Sequence, residues 1–389
     1  KNMKLSGVKS PQYNSITRNS MKNSLTLSKD EVKKRITSSE KYVIRIKVPR
    51  NEEIKLNDTI RGWVSINSNN LDDKVIFKSD GMPTYHLANV VDDYLMKISH
   101  VVRGEEWLPS APLHILLYNY LGWEKEIPVF SHLPLILKPE GNGKLSKRDG
   151  ERLGFPVFPI LWENLTTGEK YDGYKEFGFL AESFINMLVF LGWNPGHEKE
   201  IFDLEELVQA FSLERIGRSG AKFDYEKAKW FNQKYVRKLP KDLVVKEISD
   251  YLAKNNLEFT NDYIEKVCDL FLERVVFIKD FWIEGKYFFE DINGYTFSLV
   301  QKRIKENSFD HMQTLCEKLK KIENFSSINV ESVFAEVLEE FNLKMSMLLP
   351  LFRFALTNLL YGPSLYSIAE IIGKEKTINR IENFLKEIS

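Results

Sequence analysis

The sequence has 389 residues, of which 43% are hydrophobic and 13% aromatic, so it predicts about two to four folded domains and excludes a largely disordered chain. Its 55 Lys and Arg balance 55 Asp and Glu, so net charge alone does not indicate a nucleic-acid partner. Two cysteines far apart, Cys268 and Cys316, exclude a disulfide framework and a cysteine zinc site within the chain, and they fit a reducing cytoplasm.

Charge and hydropathy are unevenly distributed along the chain. Residues 1–50 hold 13 Lys and Arg against three acidic residues, an excess that suits contact with phosphate groups. The histidines form no metal-ligand motif, so the sequence predicts no metal site. The most apolar segment, residues 347–362, is interrupted by Pro350 and Arg353 and is too short to span a bilayer. We therefore expect a soluble, cytoplasmic protein with no membrane partner.

Residues 1–80 predict a basic loop, a short helix near residues 29–37 and then a small β-rich unit. The strands of this unit are expected where apolar and polar residues alternate between turn residues. They are predicted at residues 41–49, 58–66 and 74–79.

Helix and strand then alternate, which is typical of a parallel α/β sheet. The sequence predicts a helix that opens at Pro83, a strand over residues 97–104, a helix over 110–123 and a strand over 128–137. In such sheets ligands bind beyond the carboxyl ends of the strands. Arg103 and the loop GKLSKRDG, residues 143–150, both lie at such ends.

From Phe177 onward the patterns are helical. Residues 264–282 place an apolar stripe on one helical face, made of Val267, Leu270, Phe271, Val275 and Ile278. Further amphipathic stretches occur at residues 243–254, 330–342 and 364–386. The fold class predicted is therefore α/β followed by an all-α C-terminal region.

Longer stretches carry a resemblance to a known family. Two segments resemble glutamyl-tRNA synthetases, which are class I aminoacyl-tRNA synthetases. They are DGMPTYHLANVVDDYLMKISHVVRGEEW (residues 80–107) and KLSKRDG (144–150). KLSKR is similar to the mobile KMSKS loop of that class. The resemblance continues through residues 184–195, 211–239 and 348–384, and so covers nearly the whole chain.

The resemblance implies an enzyme that activates glutamate with ATP and Mg²⁺ and transfers it to tRNA(Glu). We expect this enzyme to be a monomer. Lysines on a glycine-flanked loop suit this chemistry, because phosphoryl transfer depends mainly on positioning and charge stabilisation. The implied catalytic residues are Lys147 and Lys144. The implied ATP contacts are Leu135, Ile136, Lys144, Leu145, Ser146, Lys147 and Arg148.

The same resemblance implies a glutamate pocket lined by Tyr85, Asn89, Arg103 and Trp107. Tyr85 and Asn89, four residues apart on a predicted helix, share a face. A dicarboxylate substrate requires cationic partners, and arginine offers a planar, permanently charged fork. Which carboxylate Arg103 would bind stays open.

One feature departs from the family pattern. No H-I-G-H-type ATP signature occurs, so residue 1 is expected to fall inside the insertion that follows the first half of the Rossmann domain. The chain as given is then expected to be a fragment that is inactive alone, and any zinc site would lie in the missing part. Two alternatives stay open, a paralogue that glutamylates a tRNA base and a non-catalytic tRNA-binding protein. A glutaminyl enzyme is disfavoured because these usually end in β-barrels.

Five regions are predicted in chain order, ending in two helical anticodon-binding subdomains. They are an acceptor-stem-binding insertion (1–80), the second half of the Rossmann domain (81–140), a mobile loop with a stem-contact region (141–238), and the anticodon subdomains (239–310 and 311–389).

Overall fold

The computed structural model of the chain describes residues 12–141, 143–305 and 307–388. The chain divides into two compact units, and each of them is discontinuous in sequence. Unit 1 comprises Lys1–Arg152 and Leu188–Asp224, and unit 2 comprises Leu153–Met187 and Tyr225–Ser389. The domain boundaries at residues 80, 140, 238 and 310 stay predictions.

Strands are short and, among the described residues, all precede residue 223. In chain order they are β1 (Ile44–Arg45), β2 (Glu53–Asp58), β3 (Gly62–Asn67), β4 (Val75–Phe77), β5 (His100–Gly104), β6 (Val129–Leu133), β7 (Ile136–Leu137), β8 (Trp162–Glu163), β9 (Lys170–Tyr171) and β10 (Ala221–Lys222).

Helices make up most of the remaining elements. Those up to residue 236 are α1 (Lys29–Thr37), α2 (Tyr85–Leu95), α3 (Ala111–Leu121), α4 (Lys147–Leu153), α5 (Tyr174–Phe177), α6 (Ala181–Phe190), α7 (Leu204–Ala210) and α8 (Tyr225–Val236). Those that follow are α9 (Lys241–Lys254), α10 (Asn261–Phe271), α11 (Ile278–Ile283), α12 (Lys286–Phe289), α13 (Ser308–Lys320), α14 (Ser327–Glu340), α15 (Met345–Thr357), α16 (Leu365–Ile372) and α17 (Lys374–Ile388).

A four-stranded mixed sheet, in the order β3-β2-β6-β5, forms the centre of unit 1. Strands β5 and β6 pair in parallel from His100 opposite Val129 to Gly104 opposite Leu133. Helix α3 connects these two strands and buries most of its length, from Ala111 onward. This βαβ arrangement confirms the α/β fold class and brings the end of β5 beside the end of β6.

β2 was not predicted from the sequence; the strand predicted over residues 58–66 begins only at the last residue of β2. Side chains of β2 alternate between exposed and buried, as expected of a strand with one covered face. The β2 strand pairs antiparallel with β3, with Asp58 opposite Gly62 at the turn. The segment predicted as one strand over residues 58–66 is therefore a turn followed by β3.

Two predictions about prolines were wrong. Pro83 does not open a helix, because it forms a β-bridge with Phe77 and α2 begins only at Tyr85. The strand predicted over residues 128–137 is two strands, β6 and β7, that end and begin on either side of Pro134. Proline lacks the N–H that continued pairing would use.

Unit 2 contains the short strands β8 and β9, and beyond residue 225 its described residues form helices around one cluster of buried side chains that extends from Val236 to Leu385. Between residue 240 and residue 388, the part that the structure describes contains no strand, as predicted. The helix expected over residues 264–282 is interrupted between Phe271 and Ile278. There the Asp280 carboxylate accepts the N–H groups of Val276 and Phe277 over 2.8 Å and so starts α11.

Candidate active site

The carboxyl end of β5 brings together side chains from two elements. Tyr85 and Asn89 lie one turn apart on α2, as predicted. The Tyr85 ring centroid lies 5.1 Å from that of Trp107, which belongs to the turn Glu105–Ser110 after β5. The Oδ1 atom of Asn89 is buried and accepts no hydrogen bond from the residues described. This corner therefore offers an aromatic pair and a spare acceptor.

Arg103 lies near the end of β5 with its hydrogen-bonding capacity only partly used. Its Nε–H donates to Nε2 of His132 over 3.1 Å, and its guanidinium carbon lies 5.6 Å from the centre of the Phe130 ring. Both terminal amines are buried, and within the described ranges neither has a hydrogen-bond partner of normal geometry. Burial lowers the pKa of Arg103, and the Tyr85 phenol is the first group that opposes this effect. A guanidinium stays charged even so, and its two free amines suit an anion.

Asp58 and His132 form a buried pair, and His132 contacts the side chain of Arg103. Asp58 is 1% exposed and His132 is 0% exposed. Nδ1 of His132 lies 2.6 Å from Oδ2 of Asp58, and the His132 backbone N–H donates to the same oxygen over 3.0 Å. The N–H groups of Ile60 and Arg61 donate to the other carboxylate oxygen. Burial lowers the pKa of His132 and is the largest effect on it, so the ring is neutral at pH 7.

The loop after β7 folds back on that strand. The Leu145 N–H donates to the Ile136 carbonyl over 2.8 Å. The Lys138 N–H donates to the Gly143 carbonyl over 3.1 Å. Gly143, with a φ of +111°, supplies the left-handed backbone of this return. Two of the expected ATP contacts, Leu135 and Ile136, therefore lie at the base of the loop, where β10 pairs in parallel with β7.

Two carboxylates that follow β5 bind the loop and its base. Glu106 forms an ion pair with Lys144, and both side chains are exposed. Glu105 forms an ion pair with Arg61 and accepts the Leu135 N–H over 3.2 Å. Lys144, an expected phosphate ligand, is thus paired with a carboxylate in this structure.

Asp149 holds the last part of the loop. Its carboxylate accepts the Ser146 hydroxyl over 2.5 Å and the Ser146 N–H over 3.0 Å, and it pairs with Lys138 over 2.9 Å. The Ser146 hydroxyl, followed by Lys138, lowers the pKa of Asp149 to about 2. Arg148 is exposed, and the side chain of Lys147, the first residue of α4, lies outside what the structure describes.

The chain as a whole has counterparts among known proteins. Residues 2–230 match the family described as tRNA synthetases class I (E and Q), catalytic domain, and residues 243–385 match an anticodon binding domain. A glutamate–tRNA ligase of Cytophaga hutchinsonii is 48% identical over 388 residues, which are 100% of this chain and 75% of the relative. A solved glutamate tRNA ligase from Elizabethkingia meningosepticum, in complex with its amino acid, matches with a TM-score of 0.91 at 42% identity, over 100% of this chain and 76% of that one. The chain belongs to the glutamate–tRNA ligases.

Membership of this family makes the protein a class I aminoacyl-tRNA synthetase, a ligase whose substrates are glutamate, ATP and tRNA. A second relative, the glutamate–tRNA ligase of Amoebophilus asiaticus, is 50% identical and covers 98% of this chain and 74% of its own length. These matches support the ligase and not the paralogous or non-catalytic alternatives.

Two buried polar residues of this ligase, Asp58 and His132, were not among the predicted site residues. A signal for Asp58 was present, because it continues the alternation of β2 onto a buried position that a hydrophobic residue normally fills. His132 follows the buried residues Phe130 and Ser131 in β6, so no alternation singles it out. Its role depends on a contact with Arg103 across the sheet, which a single sequence does not reveal.

Two features are absent from the described residues of the ligase. No three His, Cys, Asp or Glu side chains among them are grouped as metal ligands would be. No helix among them has the length and apolar character needed to cross a membrane. Cys268 and Cys316 are both buried as free thiols.

Proposed function

We propose that Arg103 binds a carboxylate of glutamate. The observation that carries this proposal is the pair of buried terminal amines of Arg103 that have no partner in the described part of the chain. A carboxylate is the complementary anion, since its two oxygens match two parallel N–H donors. An unfilled pair of buried donors is costly, so a carboxylate ligand restores their hydrogen bonds.

Tyr85, Asn89 and Trp107 complete the glutamate pocket in this proposal. The buried Oδ1 of Asn89 suits a donor of the substrate, such as its ammonium group. The Tyr85 and Trp107 rings, 5.1 Å apart, supply an apolar wall for the aliphatic part of glutamate. Asp92 and Asp93 have no part in the chemistry, because the substrate carboxylate is itself the nucleophile and requires no general-base pair.

ATP would be gripped by the loop that follows β7. Lys144 and Lys147 would stabilise the charge that develops on the phosphates while pyrophosphate leaves. Lys144 would exchange its ion pair with Glu106 for the phosphates, a small loss because both partners are exposed. The remaining contacts in this proposal are Leu135, Ile136, Leu145, Ser146 and Arg148.

Mg²⁺ would accompany the nucleotide and not reside in the protein. Magnesium prefers oxygen ligands and commonly binds through substrate phosphates and water. Among the described residues no three His, Cys, Asp or Glu side chains are grouped as metal ligands, and we assign the ion no protein ligand. The ion would neutralise part of the charge of the triphosphate.

tRNA would be bound through phosphates along the N-terminal region and residues 234–241. Not every basic residue there is available, since Arg18 pairs with Asp73 and Lys241 pairs with Asp269. Phosphate contacts give affinity and register, whereas bases of the anticodon are read when single-stranded. The helices beyond residue 239 would read them. Arg353, a candidate by charge alone, donates to the Pro363 carbonyl over 2.9 Å, which favours a structural role.

The ligase would act as a monomer in the cytoplasm. This location is proposed because tRNA and ATP are available there and because two buried thiols fit a reducing compartment. The monomer is proposed because the glutamate pocket and the loop are built from one chain.

The assignment of Arg103 is tested with the variants Arg103→Ala and Arg103→Lys of the full-length enzyme. Removing the guanidinium leaves a substrate carboxylate unpaired, at a cost of about 2–5 kcal/mol. Glutamate affinity, measured by calorimetry, is expected to fall accordingly in Arg103→Ala and to recover only partly in Arg103→Lys, because lysine lacks the fork. Wild-type glutamate affinity in Arg103→Ala would remove Arg103 from the pocket. ATP–pyrophosphate exchange with glutamate serves as the activity measurement.

A further inference from the structure

The protonation of His132 follows from its partners. An ionised carboxylate only accepts hydrogen bonds, so the contact of 2.6 Å between Asp58 Oδ2 and Nδ1 requires the proton on Nδ1. With the ring neutral, Nε2 carries a lone pair. It faces the Nε–H of Arg103 at 3.1 Å and accepts from it. The pair is therefore directional: Asp58 accepts from His132, which accepts from Arg103.

This contact determines which donors of Arg103 remain free. A guanidinium can bind a carboxylate side-on, through Nε–H and one terminal amine, or end-on, through both terminal amines. The His132 ring occupies Nε–H. Both terminal amines are left; they are buried, and although the Tyr85 phenol lies near the guanidinium, neither amine has a hydrogen-bond partner of normal geometry in the described chain.

We propose that Asp58 and His132 are positioning residues that hold Arg103 as an end-on fork for the substrate carboxylate. This inference rests on the proposed binding of glutamate by Arg103. Asp58 fixes the tautomer of His132 and is itself held by the N–H groups of Ile60 and Arg61, over 3.0 and 2.8 Å. The fork is thus anchored to the turn between β2 and β3.

Two substitutions of His132 in the full-length enzyme separate this role from a merely structural one. In His132→Asn the amide nitrogen still donates to Asp58, but the side chain ends short of Arg103. In His132→Gln the longer side chain brings an acceptor oxygen to Arg103. We expect His132→Asn to raise the KM for glutamate about 10- to 100-fold, the range for a hydrogen bond to a charged group. The KM for ATP should stay unchanged, and His132→Gln should regain most of the loss.

The double variant that combines His132→Asn with Arg103→Ala distinguishes this inference from the proposed function. If His132 acts through Arg103, then His132→Asn has no further effect on the KM for glutamate once Arg103 is alanine. Wild-type behaviour of Arg103→Ala alone would overturn the proposed function. Loss of binding in Arg103→Ala together with a wild-type KM in His132→Asn would overturn only the inference. Equal defects in the Asn and Gln variants, or parallel changes in the KM for ATP, would also overturn it.

Asp58→Asn serves if His132→Asn does not fold, as judged by thermal unfolding. The asparagine carbonyl can still accept from Nδ1–H of His132, but the negative charge that fixes the His132 tautomer is gone. Nε2 of His132 can then carry the proton and face the Nε–H of Arg103, which is also a donor. We expect a raised KM for glutamate and an unchanged KM for ATP. An unchanged KM for glutamate in folded Asp58→Asn would overturn the role of Asp58.

Discussion

At the scale of single residues, the loop carries two lysines, Lys144 and Lys147, that we propose as phosphate ligands. Lys144 has a carboxylate partner in Glu106. Both would act on the same phosphates, and their roles rest on charge. A positive side chain that stabilises developing charge contributes mainly to the activation rate and little to tRNA affinity.

Lys147→Ala is therefore expected to lower the rate of glutamate activation by about 10²–10³-fold and to leave tRNA affinity nearly unchanged, following the effect of removing one transition-state donor. ATP–pyrophosphate exchange measures the rate, and filter binding measures the affinity. Lys125→Ala, which removes an exposed lysine away from the loop, is the matched control. Unchanged activation, or loss of the fold, in Lys147→Ala would contradict the assignment.

Site residues that lie close together in the sequence could be predicted. Those brought together only by the pairing of strands could not. Tyr85 and Asn89 share one helix face, and Arg103 ends a strand, so local pattern and family resemblance were sufficient to nominate them. His132 lies on a neighbouring strand, and the register that brings it opposite Arg103 is set by tertiary pairing. The sequence pattern predicted the strand but not its partner.

At the scale of elements, the loop is clamped at its end by Asp149. The pKa of this carboxyl in the folded protein, about 2, lies below its ordinary value of 3.8. The clamp is therefore complete above about pH 4 and weakens as the pH falls toward 2. Neutralising Asp149 at pH 7 reproduces the acid state of the clamp without acidifying the rest of the protein.

Asp149→Asn is expected to increase the rate of tryptic cleavage within residues 144–148 several-fold at pH 7, because a looser loop exposes its basic residues to the protease. Mass spectrometry of the products locates the cleavage. Asp80→Asn, at an exposed aspartate that pairs with Lys78, should cleave like the wild type. Identical cleavage rates in all three proteins would mean that Asp149 does not restrain the loop.

The boundaries of elements were predicted less well than their types. Pro83 was predicted to open a helix, but it forms a β-bridge with Phe77 of β4. The break between α10 and α11 was hidden because Val275, within it, is buried and so preserves the helical spacing of apolar residues. A buried residue outside a helix is indistinguishable by hydropathy from one inside it.

At the scale of the whole molecule, a cut at residue 310 would divide a shared core. Arg380, 5% exposed, donates to the carbonyls of Tyr287 over 2.7 Å and Glu290 over 3.0 Å. Tyr295 donates to the Ala355 carbonyl over 2.8 Å. Deletion of residues 311–389 would remove these contacts and expose apolar surface, so point variants are the better test of tRNA recognition.

Surface charge provides such a test in residues 234–241. Lys238→Ala is expected to weaken tRNA binding and to reduce the slope of log K against log[salt] by about one, as for one lost phosphate contact. Lys241→Ala should change the slope little, because Lys241 already pairs with Glu265 and Asp269. Binding titrations over a range of salt concentrations measure both slopes. Equal slopes for the wild type and Lys238→Ala would remove this segment from the tRNA surface.

The pairing of β7 with β10 also constrains the order in which the protein is made. The base of the loop requires Ala221 and Lys222, although the chain between the two strands passes through part of unit 2. During synthesis β7 leaves the ribosome long before β10, so its edge stays without this partner until β10 has been made. Such non-local pairing forms slowly. The base of the loop, where we propose that ATP binds, is therefore among the last parts of unit 1 to fold during synthesis.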